Sequence, residues 1–169
     1  LILTIITLYR SSERRRHLRE INAAAWLAAV VDNSDNAVVS KSLDGIIMSW
    51  NKGATNLFGY TADEAIGQPM TLIIPEDRLH EEPAILSKLS AGERIDHFET
   101  IRQHKDGSLI DISVTVSPVR NGRGEISGAS KIARDIREQK AAAEKQELQL
   151  KEMHHRVRNL FTLATGVVQ

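Results

Sequence analysis

The stretch LDGIIMSWNKGATNLFGYTADEAIGQPMTLIIPEDR, residues 43–78, changes its hydrophobic period several times in a short space. AVVSKS (37–42) just before it, the Leu-Asp-Gly triplet, and IIMSW (46–50) read as strand, tight turn, strand, because Asp-Gly supplies the positive φ of a hairpin loop. Asn51 stands where an N-cap belongs for KGATNLF. Gly59 ends that helix, and Thr61 with Glu64 three residues on forms a capping box for the next. Gly67 and Pro69 break the chain again. PEDRLHEEPAILSKLSAG (75–92) is predicted as one more helix, interrupted or kinked near Pro83 and ended by Gly92.

Downstream the period becomes two. RIDHFETIRQH (94–104) runs into a second Asp-Gly turn, and LIDISVTVSP (109–118) alternates cleanly. Ile110, Ile112, Val114 and Val116 share one face; Asp111, Ser113, Thr115 and Ser117 share the other, the pattern of a half-buried antiparallel strand. Pro118 is expected at its frayed end. NGRG (121–124) makes a third turn, and EISGASKIARDI (125–136) reads as a fifth strand. Two strands, a cluster of short helices, then three strands describe an α+β domain of about 100 residues.

Bulk composition narrows the functions. Lys+Arg and Asp+Glu both number 22, so no basic excess argues for nucleic-acid binding. There is no cysteine, which excludes disulfides, thiolate zinc sites, a cysteine nucleophile and a photosensor that forms a cysteinyl adduct.

Residues 10–31 lack Gly and Pro, and Leu18, Ile21, Ala25 and Ala28 recur at helical spacing, so a connecting helix leads into the domain. LILTIITLY (1–9) is too short to span a bilayer alone, but Arg10, Arg14, Arg15, Arg16 and Arg19 follow it. Apolar then basic is the order found at the cytoplasmic end of a transmembrane helix; a buried or amphipathic helix end is the other reading. The chain begins with Leu1 and stops inside a helical pattern, so it reads as a fragment of a longer protein.

The quoted stretch, with HFETIRQHKDGSLIDISVTVSPV and GASKIARDI after it, closely resembles PAS sensory domains over roughly residues 32–136. The resemblance implies a five-stranded antiparallel sheet with helices on one face, many such domains holding a small molecule between the two. Here the PAS ligand is unknown. Haem-binding members use a histidine on the long helix, a place that falls near Glu82 in this chain. His80 lies two residues early, about 200° around a helix, and is read as a solvated histidine. His97 and His104 are read as surface groups, and Trp50 and Phe58 as core aromatics.

From Ala133 to Thr165 there is neither Gly nor Pro, and EQKAAAEKQELQLKEM (138–153) is dense in helix formers. Leu150, Met153, Val157, Leu160, Ala164 and Val167 form a seam with alternating steps of 3 and 4, the heptad rule of a helix that pairs with another helix. The implied assembly is a homodimer through this C-terminal helix. With Met153 at d and Val157 at a, His154 is e and His155 is f, turned away from the seam. An exposed neutral imidazole is a competent nucleophile near pH 7. Glu152 is placed to orient the ring, and Arg156 and Arg158 to steady a phosphoryl charge. A metal site is not expected, because adjacent residues diverge by about 100° and no i+4 histidine follows.

LKEMHHRVRNLFTLATGVV (150–168) resembles the phosphoacceptor box of sensor histidine kinases in which Arg and then Asn follow the histidine, as in the HWE type and its relatives. The resemblance implies that His155 is the phosphoacceptor, with Arg156 and Asn159 matching the box. It further implies ATP bound by a domain beyond this chain, a response-regulator partner, and placement on the cytoplasmic side of the inner membrane if residues 1–9 end a transmembrane helix. No glycine-rich nucleotide site is seen, so the fragment is expected to be inactive alone. Alternatives are a PAS signalling and dimerisation module with a non-kinase output, and a haem or flavin sensor. Residues 1–9, 10–31, 32–136 and 137–169 are thus expected to be the possible end of a transmembrane helix, the connecting helix, the PAS domain, and the first helix of a dimerisation and phosphotransfer domain.

Overall fold

The computed structural model describes residues 18–166, with side chains as far as Arg158. The apolar run 1–9 and Val167 therefore lie outside the described residues, as do the side chains of the seam residues Leu160 and Ala164.

A first helix, α1, covers residues 18–32. Strands β1 (Ala37–Ser42) and β2 (Ile47–Trp50) follow, then the short helices α2 (Lys52–Phe58) and α3 (Ala62–Ala65). Two 3-10 turns, Met70–Ile73 and Glu76–Arg78, lead to α4 (Glu81–Ser90). Strands β3 (Ile95–Gln103), β4 (Leu109–Arg120) and β5 (Ile126–Asp135) complete the domain, and α5 (Arg137–Gly166) leaves it. The sheet order is β2-β1-β5-β4-β3, with every pairing antiparallel.

Period two sets the core. Ala37 and Val39 of β1, Ile110, Ile112, Val114 and Val116 of β4, and Ala129 and Ala133 of β5 point inward, where Phe58, Met70, Ile73, Ile85 and Leu89 cover them. Each large side chain buried there contributes roughly 1.5–3 kcal/mol. Trp50 packs on Phe58 with ring centroids 5.6 Å apart and donates its indole N–H to Tyr60 O at 3.0 Å.

The local signals acted largely as read. Asn51 caps α2, its Oδ1 accepting from Ala54 N at 2.8 Å. The same amide does more, since Oδ1 also accepts from Val38 N, and Nδ2 donates to Val31 O and Asn36 O. One buried side chain thereby joins the end of α1, the start of β1 and the start of α2. Thr61 and Glu64 form the expected capping box.

Residues 75–92 do not form one helix interrupted or kinked near Pro83; the break comes earlier. The chain takes a 3-10 turn after Pro75, and α4 begins only at Glu81. Pro83 therefore falls in the first turn of α4, where its missing N–H has no intrahelical partner to lose. Pro118 lies within β4, opposite Ala129, rather than at a frayed end. Pairing with β3 stops at Val116, so β4 has a neighbour on only one side there, the edge condition that tolerates proline.

Candidate functional site

α5 grows out of β5 with Ile136 alone between them. Ile136 is buried, its N–H donates to Asp111 O on β4 at 3.1 Å, and Lys140 Nζ reaches the Asp111 carboxylate at 2.6 Å. Asp135 is bracketed by Arg137, whose hydrogen bonds outweigh the effect of burial and hold the carboxyl below its ordinary range. Beyond this clamp the helix stands clear of the sheet. Leu150, Met153 and Val157 are exposed along one side of it, His154 and His155 are exposed, and Lys151 pairs with Glu147. Glu152 accepts a hydrogen bond from Arg156 Nη2 at 2.5 Å, one turn on. The structure thus brings Glu152, His155 and Arg156 onto one helical segment, with the Glu152 carboxylate turned to arginine. Asn159 follows in the same helix, its side chain outside the described set.

A second constellation lies inside the domain. Glu82, near the start of α4, bonds Lys41 of β1 through Oε1 and Lys131 of β5 through Oε2 at 2.9 Å. Beside it, Glu81 accepts from Thr100 Oγ1 at 2.9 Å, from Arg102 Nη1 at 2.9 Å and from Arg78 Nη1 at 3.1 Å. Burial pushes both carboxyls up, yet the cations outweigh it and hold them below the ordinary range. Burial also pushes the Lys131 ammonium down to about 8; Glu82 opposes that fall, while the like charges of Lys41 and Arg102 add to it. Arg102 and Lys131 line a cavity of about 20 Å³ with Val39, Phe58, Met70 and Ile85. That volume takes one water-sized occupant.

Residues 26–136 match the PAS fold family. The chain belongs to the PAS family. The five-stranded antiparallel sheet with helices on one face, and the long helix that leaves it, are the fold the resemblance implied.

The PAS chain is similar to the signal transduction histidine-protein kinase AtoS of Escherichia coli (strain K12), at 26% identity over 149 residues, covering 83% of this chain and 24% of that protein. It is similar to the C4-dicarboxylate transport sensor protein DctS of Rhodobacter capsulatus, at 30% identity over 147 residues, covering 84% of this chain and 22% of that protein. The chain thus spans about a quarter of the length of these curated relatives. Among solved structures it resembles the PAS domain of a Colwellia psychrerythraea protein, at 31% identity and a TM-score of 0.62, covering 68% of this chain and 97% of that one. Family and relatives together support a signalling sensor role.

Glu82, near which the resemblance puts the histidine of haem-binding members, is drawn inward by two lysines. His80 is exposed at the start of α4 and His97 is exposed at a bulge in β3. His104 is half-buried rather than a plain surface group: it lies over Gly59, where an added Cβ would meet the ring at 2.4 Å. Sequence reasoning missed the buried ions altogether. The signal was there: Lys41 is in phase with Ala37 and Val39, and Lys131 with Ala129 and Ala133, on the inward face.

Proposed function

We propose that this chain is the sensory and phosphoacceptor part of a two-component sensor histidine kinase. An imidazole nitrogen of His155 attacks the γ-phosphorus of ATP; the N–P bond forms as the bond to the β,γ-bridging oxygen breaks, and ADP leaves. The phosphoryl group then passes to an aspartate of a response regulator. ATP is held by a domain beyond these residues. The observation that carries the reading is His155 itself, exposed on a long helix that leaves β5 without a loop, in the sequence HHRVRN.

Arg156 and Arg158 supply positive charge beside the developing phosphoryl group, and Asn159 completes the box. Glu152 orients the His155 ring when it exchanges its Arg156 bond for the ring N–H. The exposed side formed by Leu150, Met153 and Val157 is the seam of a homodimer, since apolar residues at a and d positions bury themselves against a second helix. Residues 32–136 are the sensor and 137–169 the first helix of the phosphotransfer domain. The apolar start of the chain, followed by arginines, supports a position for both on the cytoplasmic side of the inner membrane, with a soluble cytoplasmic protein as the alternative if that run is not transmembrane.

The test gives the full-length protein ATP labelled on the γ-phosphate. His155→Ala abolishes acid-labile labelling and His154→Ala retains it. Retention in His155→Ala with loss in His154→Ala moves the site by one residue, and labelling that survives both changes removes it from this helix.

A further inference from the structure

The first turn of α4 is held by charge. His80, at its N-cap, makes no capping hydrogen bond, and the two residues that follow are buried carboxylates. Glu81 is tied to Thr100 and Arg102 of β3, and Glu82 to Lys41 of β1 and Lys131 of β5. Ile85 and Leu89, further along, are the buried apolar side chains of the same helix.

Among the described residues every buried side-chain nitrogen and oxygen has a partner, so the cluster is complete in hydrogen bonds. It is not balanced in charge. Lys41, Arg102 and Lys131 are three buried cations against two buried anions, Glu81 and Glu82. Two ammonium groups share one carboxylate. Loss of one proton to water brings the five groups to neutrality and breaks no pairing, because a neutral amine still donates an N–H.

Arginine does not give up a proton inside a protein, so the proton comes from a lysine. Lys131 is the lysine set beside Arg102, and both line the small cavity under α4. It is faced by Glu82 from α4, Lys41 from β1 and Arg102 from β3, with Glu81 and Arg78 behind Arg102. β4 presents Val114 and Val116 to the same cavity, and α2 presents Phe58, none of them charged. Burial and the like charges of Lys41 and Arg102 lower the Lys131 ammonium from 10.5 to about 8 against the pull of Glu82.

Lifting the first turn of α4 takes Glu82 and Ile85 away from Lys131 and admits water, in which an ammonium regains its ordinary hold on the proton. Opening therefore takes up a proton between the closed and the ordinary value, and the closed form gains as pH rises through that window.

We propose that α4 is a proton-controlled cover on the sheet: with Lys131 charged, the excess cation lets the first turn of α4 lift, and with Lys131 neutral, Lys41 and Arg102 balance Glu82 and Glu81 and the turn closes. The signal is the proton itself, on the mildly alkaline side of neutrality. The inference does not rest on the histidine reading, since it is measured without phosphate and either can fail alone.

The test follows the 169-residue chain by NMR from about pH 7 to 10.5. The Lys131 Cε resonance reports the proton. Relaxation dispersion of the Ile85 and Leu89 methyl groups reports the opening of α4, free of base-catalysed amide exchange. The Cε resonance is expected to titrate near pH 8, and the open population to fall above it by up to about tenfold per pH unit. Lys131→Met is expected to hold α4 closed at every pH, and Lys131→Arg to keep it opening at the alkaline end. A Lys131 midpoint near its ordinary value, an open population that does not change with pH, or a pH dependence that survives in Lys131→Met overturns the proposal.

Discussion

Lys131 of β5 and Glu82 of α4 meet at 2.9 Å inside the domain, and Lys41 of β1 bonds the other oxygen of the same carboxylate. One anion holds two buried ammonium groups, so the cluster responds unequally to losing different members. Glu82→Ala strands two lysines and is expected to lower stability by about 3–5 kcal/mol. Lys131→Met leaves Glu82 its bond to Lys41 and removes an ammonium that burial disfavours, so it is expected to cost clearly less than Glu82→Ala. Urea denaturation of the two variants checks the order; equal losses would show that the cluster works as isolated pairs.

Alkaline pH is expected to strengthen the fold at Lys131. The folded ammonium is lowered from 10.5 to about 8. Between those values the unfolded chain keeps the proton that the folded chain has lost, so stability rises with pH across that window. Below it the penalty is constant, at most about 3 kcal/mol. The stability difference between the parent and Lys131→Met, followed from pH 7 to 10.5, isolates the effect from other titrations. A difference that stays flat with pH would remove Lys131 as its source.

Gly53→Ala is expected to destabilise, against helix propensity. Alanine at a helix position gains about 1 kcal/mol over glycine. Here a Cβ would stand 2.3 Å from Asn36 O and 2.7 Å from Ser34 O. Both are backbone atoms of the segment between α1 and β1, and neither can swing aside. A net loss of about 1–3 kcal/mol in thermal or urea unfolding is expected. A gain would mean that this segment yields.

Asn51→Asp separates the two halves of one amide. The acceptor for Ala54 N and Val38 N survives, but the donors to Val31 O and Asn36 O are replaced by an oxygen facing two carbonyls. The loss is expected to exceed the roughly 1 kcal/mol of a helix cap alone. Hydrogen exchange should quicken first at the end of α1, where Asn33 N bonds Ala29 O. Uniform quickening across the domain would instead mean that Asn51 acts only as a cap.

Much of this fold was readable because its signals are local. An Asp-Gly turn, an N-cap and a capping box each complete themselves within four residues, and alternation along β4 separated its two faces. The helix at 75–92 was misjudged because a 3-10 turn and the first turn of a helix share composition; Pro83 marked a beginning and was read as an interruption or kink. The ion cluster was hidden for a different reason. Lys41 and Lys131 stand 41 and 49 residues from Glu82 along the chain, and only the pairing of β1 with β5 under α4 makes the three neighbours. Each had a visible anomaly, a charge on the inward phase, but no single segment says which charges will meet. At the other end of the chain, local pattern singled out His155, and the structure adds that the helix carrying it is, among the described residues, fastened at its root.

The root has a mechanical meaning. Asp111 grips Ile136 and Lys140, so the first turn of α5 moves with β4 and β5 as one body. His155 lies 18 residues beyond Arg137, about 27 Å along the helix axis. A tilt of about 2° at the clamp therefore sweeps the imidazole through about 1 Å. In a group transfer a misplacement of that size costs about a hundredfold in rate. A shift at the Asp111 contacts too small to alter the sheet visibly is thus geared up by the length of the helix into a displacement of atomic size at its far end.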